Sequence, residues 1–358
     1  AKMCEAFAIQ GNQVELILPN RKNMNFTNED VFRYYHLKKI FLVRKLRCFD
    51  PIFLLNSTSG SYIKLQGLFF SLSVLIYLLF KKDRANFVFY TRDEYLLPVI
   101  MLFSKKVVWE AHNIPKNSHL YLKYWRRCWK IIALTLQLKN TLVENGLSPD
   151  KIVVAADGVD LDEFAAVSDT TENLRIKFGL PLDKKIVMYC GHLYDWKGAD
   201  TLAKAADLLS NNIIIVFLGG TEKNIREFKE KYRSKKSLFL GQKKHDLVPD
   251  YLKMSDILVL PNSAKTAISN LYTSPLKLFE YLAAGRPIIA SNLPSLREVL
   301  NDNNSILVEP DSADALAYGI NFALQNIEFS AKISKQSLID VRKFTWQNRA
   351  KIITDFIK

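Results

Sequence analysis

The sequence predicts an α/β protein made of two domains, each a parallel sheet covered by helices on both faces. Three observations lead there. The chain has 358 residues, and at roughly 150 residues per domain that is room for two. From residue 85 onward, short continuous apolar runs alternate with helical stretches, which is how strands buried on both faces read. Around residues 158–184 the apolar rhythm weakens and Asp162, Asp169, Thr170, Thr171 and Pro181 gather, so the domain boundary is expected there, at 165/166.

The elements follow in order. Residues 1–12 read as a helix, because Met3, Ala6, Phe7 and Ile9 recur at helical spacing and Gly11 is a stop signal. A strand, Val14–Pro19, comes next. A helix running straight into a strand is the second half of a βαβ unit, so a first strand and its glycine-bearing loop are expected upstream of Ala1. Leu37–Arg47 carries five cations among apolar residues and Lys123–Lys130 is similar; both read as basic amphipathic helices. Leu65–Phe80 is an uncharged run of 16 residues. A membrane-spanning helix needs about 20, so this run is expected to be a buried helix. Strands are then expected at 87–91, 107–112, 131–135 and 152–155, and in the second half at 186–190, 213–218, 238–240, 257–260, 287–290 and 306–308. Helices in that half should begin near Gly198, Lys223, Leu247, Ser274, Leu293 and Ser312. In open α/β sheets ligands bind beyond the carboxyl ends of the strands, so the chemistry belongs in the loops after those strands, at a cleft between the two sheets.

Composition narrows the partners. Hydrophobic residues make up 49% and charged residues 24%, which excludes wholesale disorder. The formal net charge of +14 is spread over both halves and calls for an acidic partner: phosphate, an anionic membrane face or nucleic acid. No basic stripe interleaved with aromatic residues appears, and no nucleic-acid-binding module. Cys4, Cys48, Cys128 and Cys190 form no Cys-x-x-Cys, which argues against a zinc ribbon and for a reducing compartment. Neither a Gly-x-Gly-x-x-Gly nor a Gly-x4-Gly-Lys-Ser/Thr occurs. Asp160-Leu161-Asp162 could hold a metal, but its place just past a strand suits helix capping better, and no metal site is expected.

Two loops carry the positive signals. In Tyr189-Cys190-Gly191-His192-Leu193-Tyr194-Asp195-Trp196-Lys197-Gly198, Gly191 lets backbone approach a ligand and Lys197 is a point charge suited to phosphate. In Tyr272-Thr273-Ser274-Pro275-Leu276-Lys277-Leu278-Phe279-Glu280, Ser274 suits an N-cap and Pro275 a first helical residue. The free amides near Leu276 and Lys277 make an anion site. Glu280, further along, can accept both hydroxyls of a ribose.

Together these loops resemble the retaining nucleotide-sugar glycosyltransferases of the GT-B fold, family 4. That family reads Gly-(Arg)-x4-Lys-Gly, then Pro-x4-Glu-x-x-Ala-x-Gly-x-Pro. Lys151–Val154 followed by Asp157-Gly158-Val159-Asp160, then Leu218-Gly219-Gly220, Leu240-Gly241, Ser255–Pro261 and Phe344-Thr345-Trp346, match further units in the same order. The resemblance implies two Rossmann-like domains with parallel sheets facing across a cleft: acceptor domain 1–165, donor domain 166–340, and a helix 341–358 crossing back to the first. It implies that Lys197 and the amides of Ser274–Lys277 bind the donor diphosphate and that Glu280 holds the ribose. Backbone near Gly241 to Lys243 edges the base. His112, at a strand end after Glu110, faces the transferred sugar, and Arg92 and Glu110 fall on the acceptor side.

Two departures stand out. His192 replaces the arginine frequent in the family, exchanging a fixed charge for a titratable one. Tyr272 occupies the first position of the family's Glu-x7-Glu pattern, which leaves the donor sugar open. The expected activity is metal-independent, retaining transfer of a sugar from a nucleoside-diphosphate sugar, with no other cofactor, to a glycan or lipid-linked acceptor, in cell-surface polysaccharide or glycolipid synthesis. The expected place is cytoplasmic, peripheral on the inner, anionic membrane face. An epimerase or phosphorylase of the same fold, or a silent nucleotide-sugar binding protein, is the alternative.

Overall fold

A computed structural model describes residues 1–21, 30–51, 60–82, 84–115, 117–232 and 234–358. The chain divides into two units: Ala1–Ala155 with Arg349–Lys358, and Ala156–Asn348.

In the first unit, helix Lys2–Ile9 leads into strand β1 (Glu15–Asn20), which pairs in parallel with β2 (Leu42–Arg47) as a two-stranded sheet. A separate parallel sheet holds β3 (Phe89–Thr91), β4 (Val107–Ala111), β5 (Lys130–Ala133) and β6 (Ile152–Val154), in that order. The strands of this half thus form two sheets instead of one. All five residues of β4 are buried, and Trp109 stacks on Trp125 with ring centroids 4.6 Å apart.

Three expectations for this half change. Leu42–Arg47 is a strand, not the second half of a basic helix: the backbone pairs with β1 residue for residue, and Arg44 meets Glu15 across the pair. Tertiary pairing overrides the local pattern, as is usual for strands. The second basic segment is helical only as far as Leu122–Arg127, after which β5 begins at Lys130. The apolar run does form a helix, Gly60–Phe80, but only one face is buried. Tyr62, Phe70, Val74 and Leu78 point inward, while Leu68, Leu72, Ile76, Leu79 and Phe80 are each more than half exposed. By length and composition alone it could cross a membrane.

The second unit carries a six-stranded parallel sheet of β7 (Lys185–Cys190), β8 (Ile213–Leu218), β9 (Ser237–Gly241), β10 (Ile257–Leu260), β11 (Ile288–Ser291) and β12 (Ile306–Val308). Its order is β12-β11-β10-β7-β8-β9, the order of a Rossmann sheet. The chain builds outward from β7 to β9, returns, and builds the other way from β10. Fully buried cores lie on both faces, one around Met188, Leu258 and Leu282, the other around Val187, Ile215 and Val259. Every strand expected in this half is present. The boundary falls at Ala155/Ala156 instead of 165/166, because Val159 bridges Thr345 and Phe164 joins the core with Leu174 and Leu252. The last stretch belongs to the first unit only from Arg349, whose Nε donates to the Ala155 carbonyl at 3.2 Å, while Thr354 reaches Gln10 at 2.8 Å.

Candidate active site

The adjacent strands β7 and β10 run in parallel but send their connections in opposite directions, so the loops beyond their carboxyl ends splay apart and leave room for a ligand. At the end of β7, Gly191 has φ +147°, a conformation nearly confined to glycine. Its amide donates to Leu218 O at 2.7 Å, and the Gly219 amide donates to Gly241 O at 2.8 Å. Glycines thus line the ends of three neighbouring strands. Lys197 closes a short turn, Asp195–Lys197, and Gly198 follows at φ +68°. A Cβ on Gly198 would collide with the Pro261 carbonyl, so only glycine lets the loop after β7 lie against the loop after β10.

Beyond β10 the chain makes one π turn, Ile268–Tyr272, extends at Thr273, and enters helix Leu276–Ala284. The helix starts one residue later than the sequence suggests. Pro275 is the N-cap, not the first helical residue. Ser274 does not cap: its Oγ accepts the Asp157 amide at 3.1 Å. Among the described residues no side chain caps this helix, which leaves the first-turn amides and the positive helix end to an anion. The hydroxyl of Tyr281 accepts the Cys190 amide at 2.8 Å and fixes the helix to the end of β7. Lys277 and Glu280, three residues apart, share a face.

The side chains that converge here are Lys197, Lys277 and Glu280. All three are partly buried, and none has a hydrogen bond or an ion pair within 4.0 Å among the described residues. Lys277 Nζ lies 4.3 Å from the Tyr189 ring centroid, over the space where a Cβ on Gly191 would sit, with Cε 2.7 Å from that point. Burial, then the neighbouring Lys197, pulls the Lys277 pKa down to about 7. Burial likewise lowers Lys197. Burial raises Glu280 to about 7, against the pull of Lys277. Partial burial and the two lysines lower His192 as well, so His192 is disfavoured as the protonated partner of a phosphate. It stacks on Tyr194 instead, with centroids 5.1 Å apart. Tyr272 ends the π turn. Gly241 and Lys243 lie at and after the end of β9, joined to Gly191 through Gly219, with Lys243 half-buried. Asp160 caps Leu161–Ala165, accepting the Asp162 amide at 3.2 Å.

The first unit has its own charged cluster. Glu110 is fully buried at the end of β4. Its Oε1 lies 2.8 Å from Arg92 Nε and 2.8 Å from His112 Nε2, and its Oε2 lies 3.0 Å from Arg349 Nη2 and accepts the Tyr90 hydroxyl. Burial would raise the Glu110 pKa, but Arg349, the His112 hydrogen bond and Arg92 outweigh it and hold it well below the carboxylate range. A carboxylate only accepts, so His112 carries its hydrogen on Nε2 and keeps Nδ1 for another partner. Sequence reasoning found Arg92, Glu110 and His112 but missed Tyr90 and Arg349. Only the place of Tyr90 on β3, the strand paired with β4, could have signalled the first, and nothing local marks the second. It also counted Lys277 for its amide, not its side chain.

Residues 170–338 match the sequence profile described as "Glycosyl transferases group 1". The chain is 28% identical over 213 residues to a putative teichuronic acid biosynthesis glycosyltransferase of Bacillus subtilis, covering 59% of this chain and 52% of that protein. It is 27% identical over 238 residues to a D-inositol 3-phosphate glycosyltransferase of Xylanimonas cellulosilytica, covering 63% and 55%. These alignments span little more than half the length of either relative. Among solved structures, sucrose-phosphate synthase from Thermosynechococcus elongatus superposes with TM-score 0.78 at 18% identity, over 99% of this chain and 90% of that one. Anabaena HepE in complex with UDP and glucose superposes with TM-score 0.75 at 17% identity, over 99% and 94%. The structural likenesses show the fold, GT-B with its two Rossmann-like units. Over residues 170–338, just under half of the chain, the sequence is similar to the glycosyl transferases group 1 family.

Proposed function

We propose that this chain transfers a sugar from a nucleoside-diphosphate sugar to a glycan or lipid-linked acceptor, in polysaccharide or glycolipid synthesis, with retention at the anomeric carbon and without a metal. The observation that carries the reading is the convergence of Lys197, Lys277 and Glu280, unpaired, beside an uncapped helix N-terminus at the switch point of a Rossmann sheet. Two cations and a row of amides suit a diphosphate; a carboxylate just beyond suits ribose hydroxyls. The complex of HepE with UDP and glucose is consistent with such a donor.

Departure of the nucleoside diphosphate puts negative charge on its phosphate oxygens. Lys197 and the amides at Leu276 and Lys277 meet that charge in fixed positions, and preorganised donors of this kind need no rearrangement during the reaction. The acceptor hydroxyl attacks the same face of an oxocarbenium-like sugar that the leaving group vacates. In the first unit His112, held by Glu110, keeps Nδ1 for an acceptor hydroxyl. The acceptor side also meets a membrane. Helix Gly60–Phe80 carries Lys64 near its start and is followed by Lys81 and Lys82, and Ser73 Oγ donates to Arg47 O at 2.9 Å, which fastens the helix to β2, where Lys45 and Arg47 are exposed; Arg44 and Lys81 both meet Glu15. An apolar row rimmed by cations suits an anionic bilayer surface, and the place of action is then the cytoplasmic face of that bilayer.

Calorimetry with UDP, GDP and ADP, followed by incubation with the matching radiolabelled sugar nucleotides with and without EDTA, tests the assignment. One diphosphate binds, and its sugar moves to an acceptor fraction with EDTA present. Binding of none of the three, or transfer that requires added magnesium, overturns it.

A further inference from the structure

We propose that the turn after β3 is an acceptor subsite, in which the Glu94 carboxylate and the Tyr121 hydroxyl hold hydroxyls of a neutral sugar unit beside His112. The proposal rests on the transferase reading above and names the residues and the acceptor chemistry which that reading leaves open.

Sheet register brings the groups together. Thr91 of β3 pairs with Trp109 of β4, and Glu94 and His112 each follow three residues later, past the carboxyl ends of neighbouring strands. The chain turns at once after β3: Asp93 caps the short helical turn Glu94–Leu96, accepting the Tyr95 amide at 2.9 Å. The Tyr95 ring lies against helix Gly60–Phe80 at Gly67, where a Cβ would come within 3.2 Å of it, and Ser71 Oγ donates to the Tyr95 carbonyl at 3.2 Å. Tyr121 meets the Tyr95 ring edge-on, centroids 6.3 Å apart, and stacks on Trp125 at 6.1 Å; Trp125 stacks in turn on Trp109 of β4. Helix, sheet and aromatic stack thus hold the turn in place, while Glu94, Tyr95, His112 and Tyr121 stay half-buried and within reach of a ligand.

Glu94 is placed without a task in the fold. A carboxylate that serves structure caps a turn, as Asp93 does, or pairs with cations, as Glu110 does. Among the described residues, neither Glu94 nor Asp93 has an ion pair within 4.0 Å, and the neighbouring Arg92 is taken by Glu110. Burial raises the Glu94 pKa, and Asp93 adds to the rise against the pull of Glu94's own amide and of His112. A partly desolvated carboxylate without a cation is costly until donors reach it. Sugar hydroxyls are such donors, and their bonds to a carboxylate are stronger than those between neutral groups. Burial first, then the Tyr95 hydroxyl, pushes the Tyr121 pKa up to about 12, so Tyr121 keeps its proton and can give a hydrogen bond as well as take one. Two carboxyl groups with no lysine or arginine paired to them repel an anionic group, which makes the sugar unit that fits here a neutral one.

The test is saturation-transfer NMR on the full chain. The probes are methyl glycosides of glucose, galactose, mannose and N-acetylglucosamine, with methyl glucuronide and galacturonide as anionic counterparts. At least one neutral glycoside should bind with a Kd of about 1–20 mM, and both uronides at least about 5-fold more weakly. Glu94→Gln should weaken the preferred glycoside about 10-fold, the lower range for a lost hydrogen bond to a charged group, and Tyr121→Phe about 3- to 10-fold. Glu94→Gln should melt near the wild-type temperature, since its carboxylate supports no other residue; should it not fold, Tyr121→Phe decides. No neutral glycoside bound at about 50 mM, uronides bound as well as the neutral sugars, or a variant within about twofold of wild type overturns the proposal. Calorimetry with UDP, GDP and ADP on the same sample reads the donor reading apart from it. If one diphosphate binds and no glycoside does, the subsite fails and the donor reading stands. If a glycoside binds in the expected way and no diphosphate does, the donor reading fails and the sugar site stands.

Discussion

Glu110→Gln is expected to destabilise the first unit by about 3 kcal/mol. The carboxylate is fully buried, and so is Arg349, at 2% exposure and 3.0 Å from it. Glutamine keeps the shape and can still meet Tyr90 and His112, but it takes from the buried Arg349 guanidinium the negative charge that Glu110 supplies. Removing one partner of a buried pair costs about 3–5 kcal/mol, mostly as the penalty on the partner left behind. Arg92 and His112 are far more exposed, at 53% and 38%, and water screens them, so each adds at most about 1 kcal/mol. Arg349→Met should cost a similar amount, because Glu110 is then the orphan. The double variant Glu110→Leu with Arg349→Met removes both charges together and should recover most of the loss, with a coupling of about 2 kcal/mol or more.

Urea unfolding followed by tryptophan fluorescence reads this out, since the stacked Trp109 and Trp125 rings are buried in the same unit. The pH dependence gives a second handle. The folded Glu110 pKa is depressed, so its contribution is fully present above the unfolded value of about 4.3 and is lost as pH falls toward the folded value. The stability gap between wild type and Glu110→Gln should therefore be constant from about pH 7 to about pH 5 and shrink below about pH 4. Single variants within about 1 kcal/mol of wild type, or a double variant that is the sum of the singles, would falsify the view of Glu110 as the buried hub of this unit.

Two further outcomes are expected. Lys197→Ala should lower sugar transfer about 10²- to 10³-fold and Glu280→Ala should abolish most of it, while thermal unfolding of both stays near wild type, because among the described residues neither side chain has a hydrogen bond or an ion pair to lose, and Lys197 has only the rings of Tyr194 and Trp196; kinetics beside differential scanning fluorimetry checks this, and near-normal transfer in either variant removes that residue from the mechanism. In flotation the chain should rise with vesicles containing phosphatidylserine and stay behind with neutral ones, and Leu72→Asp with Ile76→Asp should abolish the difference; equal flotation with both lipids dismisses the charged rim, and unchanged flotation of the double variant dismisses the apolar row.

The second unit was legible almost strand by strand because its strands are apolar on both faces, so the run length alone marks them. The first was not. Leu42–Arg47 has only Val43 and Leu46 half-buried, and its cations look helical until β1 is in place to pair with it. The run at 65–80 had the right element and the wrong surroundings: hydrophobicity says that a helix forms, but nothing in one sequence says how much of the fold is there to cover it. The Ser274 misreading is of a third kind. Ser-Pro ahead of an apolar stretch fits a cap and a first helical residue, yet the serine is drawn off by Asp157, a residue 117 positions earlier.

The proposed donor site shows why single motifs were weak and their sum was not. Lys197 and Glu280 each look like ordinary surface residues in their own segments. They matter because β7 and β10 lie side by side with connections leaving in opposite directions, which no local pattern encodes. On the proposed reading, that arrangement also accounts for His192. Diphosphate recognition asks for net positive charge at a place, not for arginine at a position, and the helix after β10 can deliver an ammonium to that place from the other side of the switch point. The raised pKa of Glu280 and the lowered pKa of Lys277 share one cause, burial without a partner that would hold the charge, and on the proposed reading the diphosphate and ribose of the donor supply those partners.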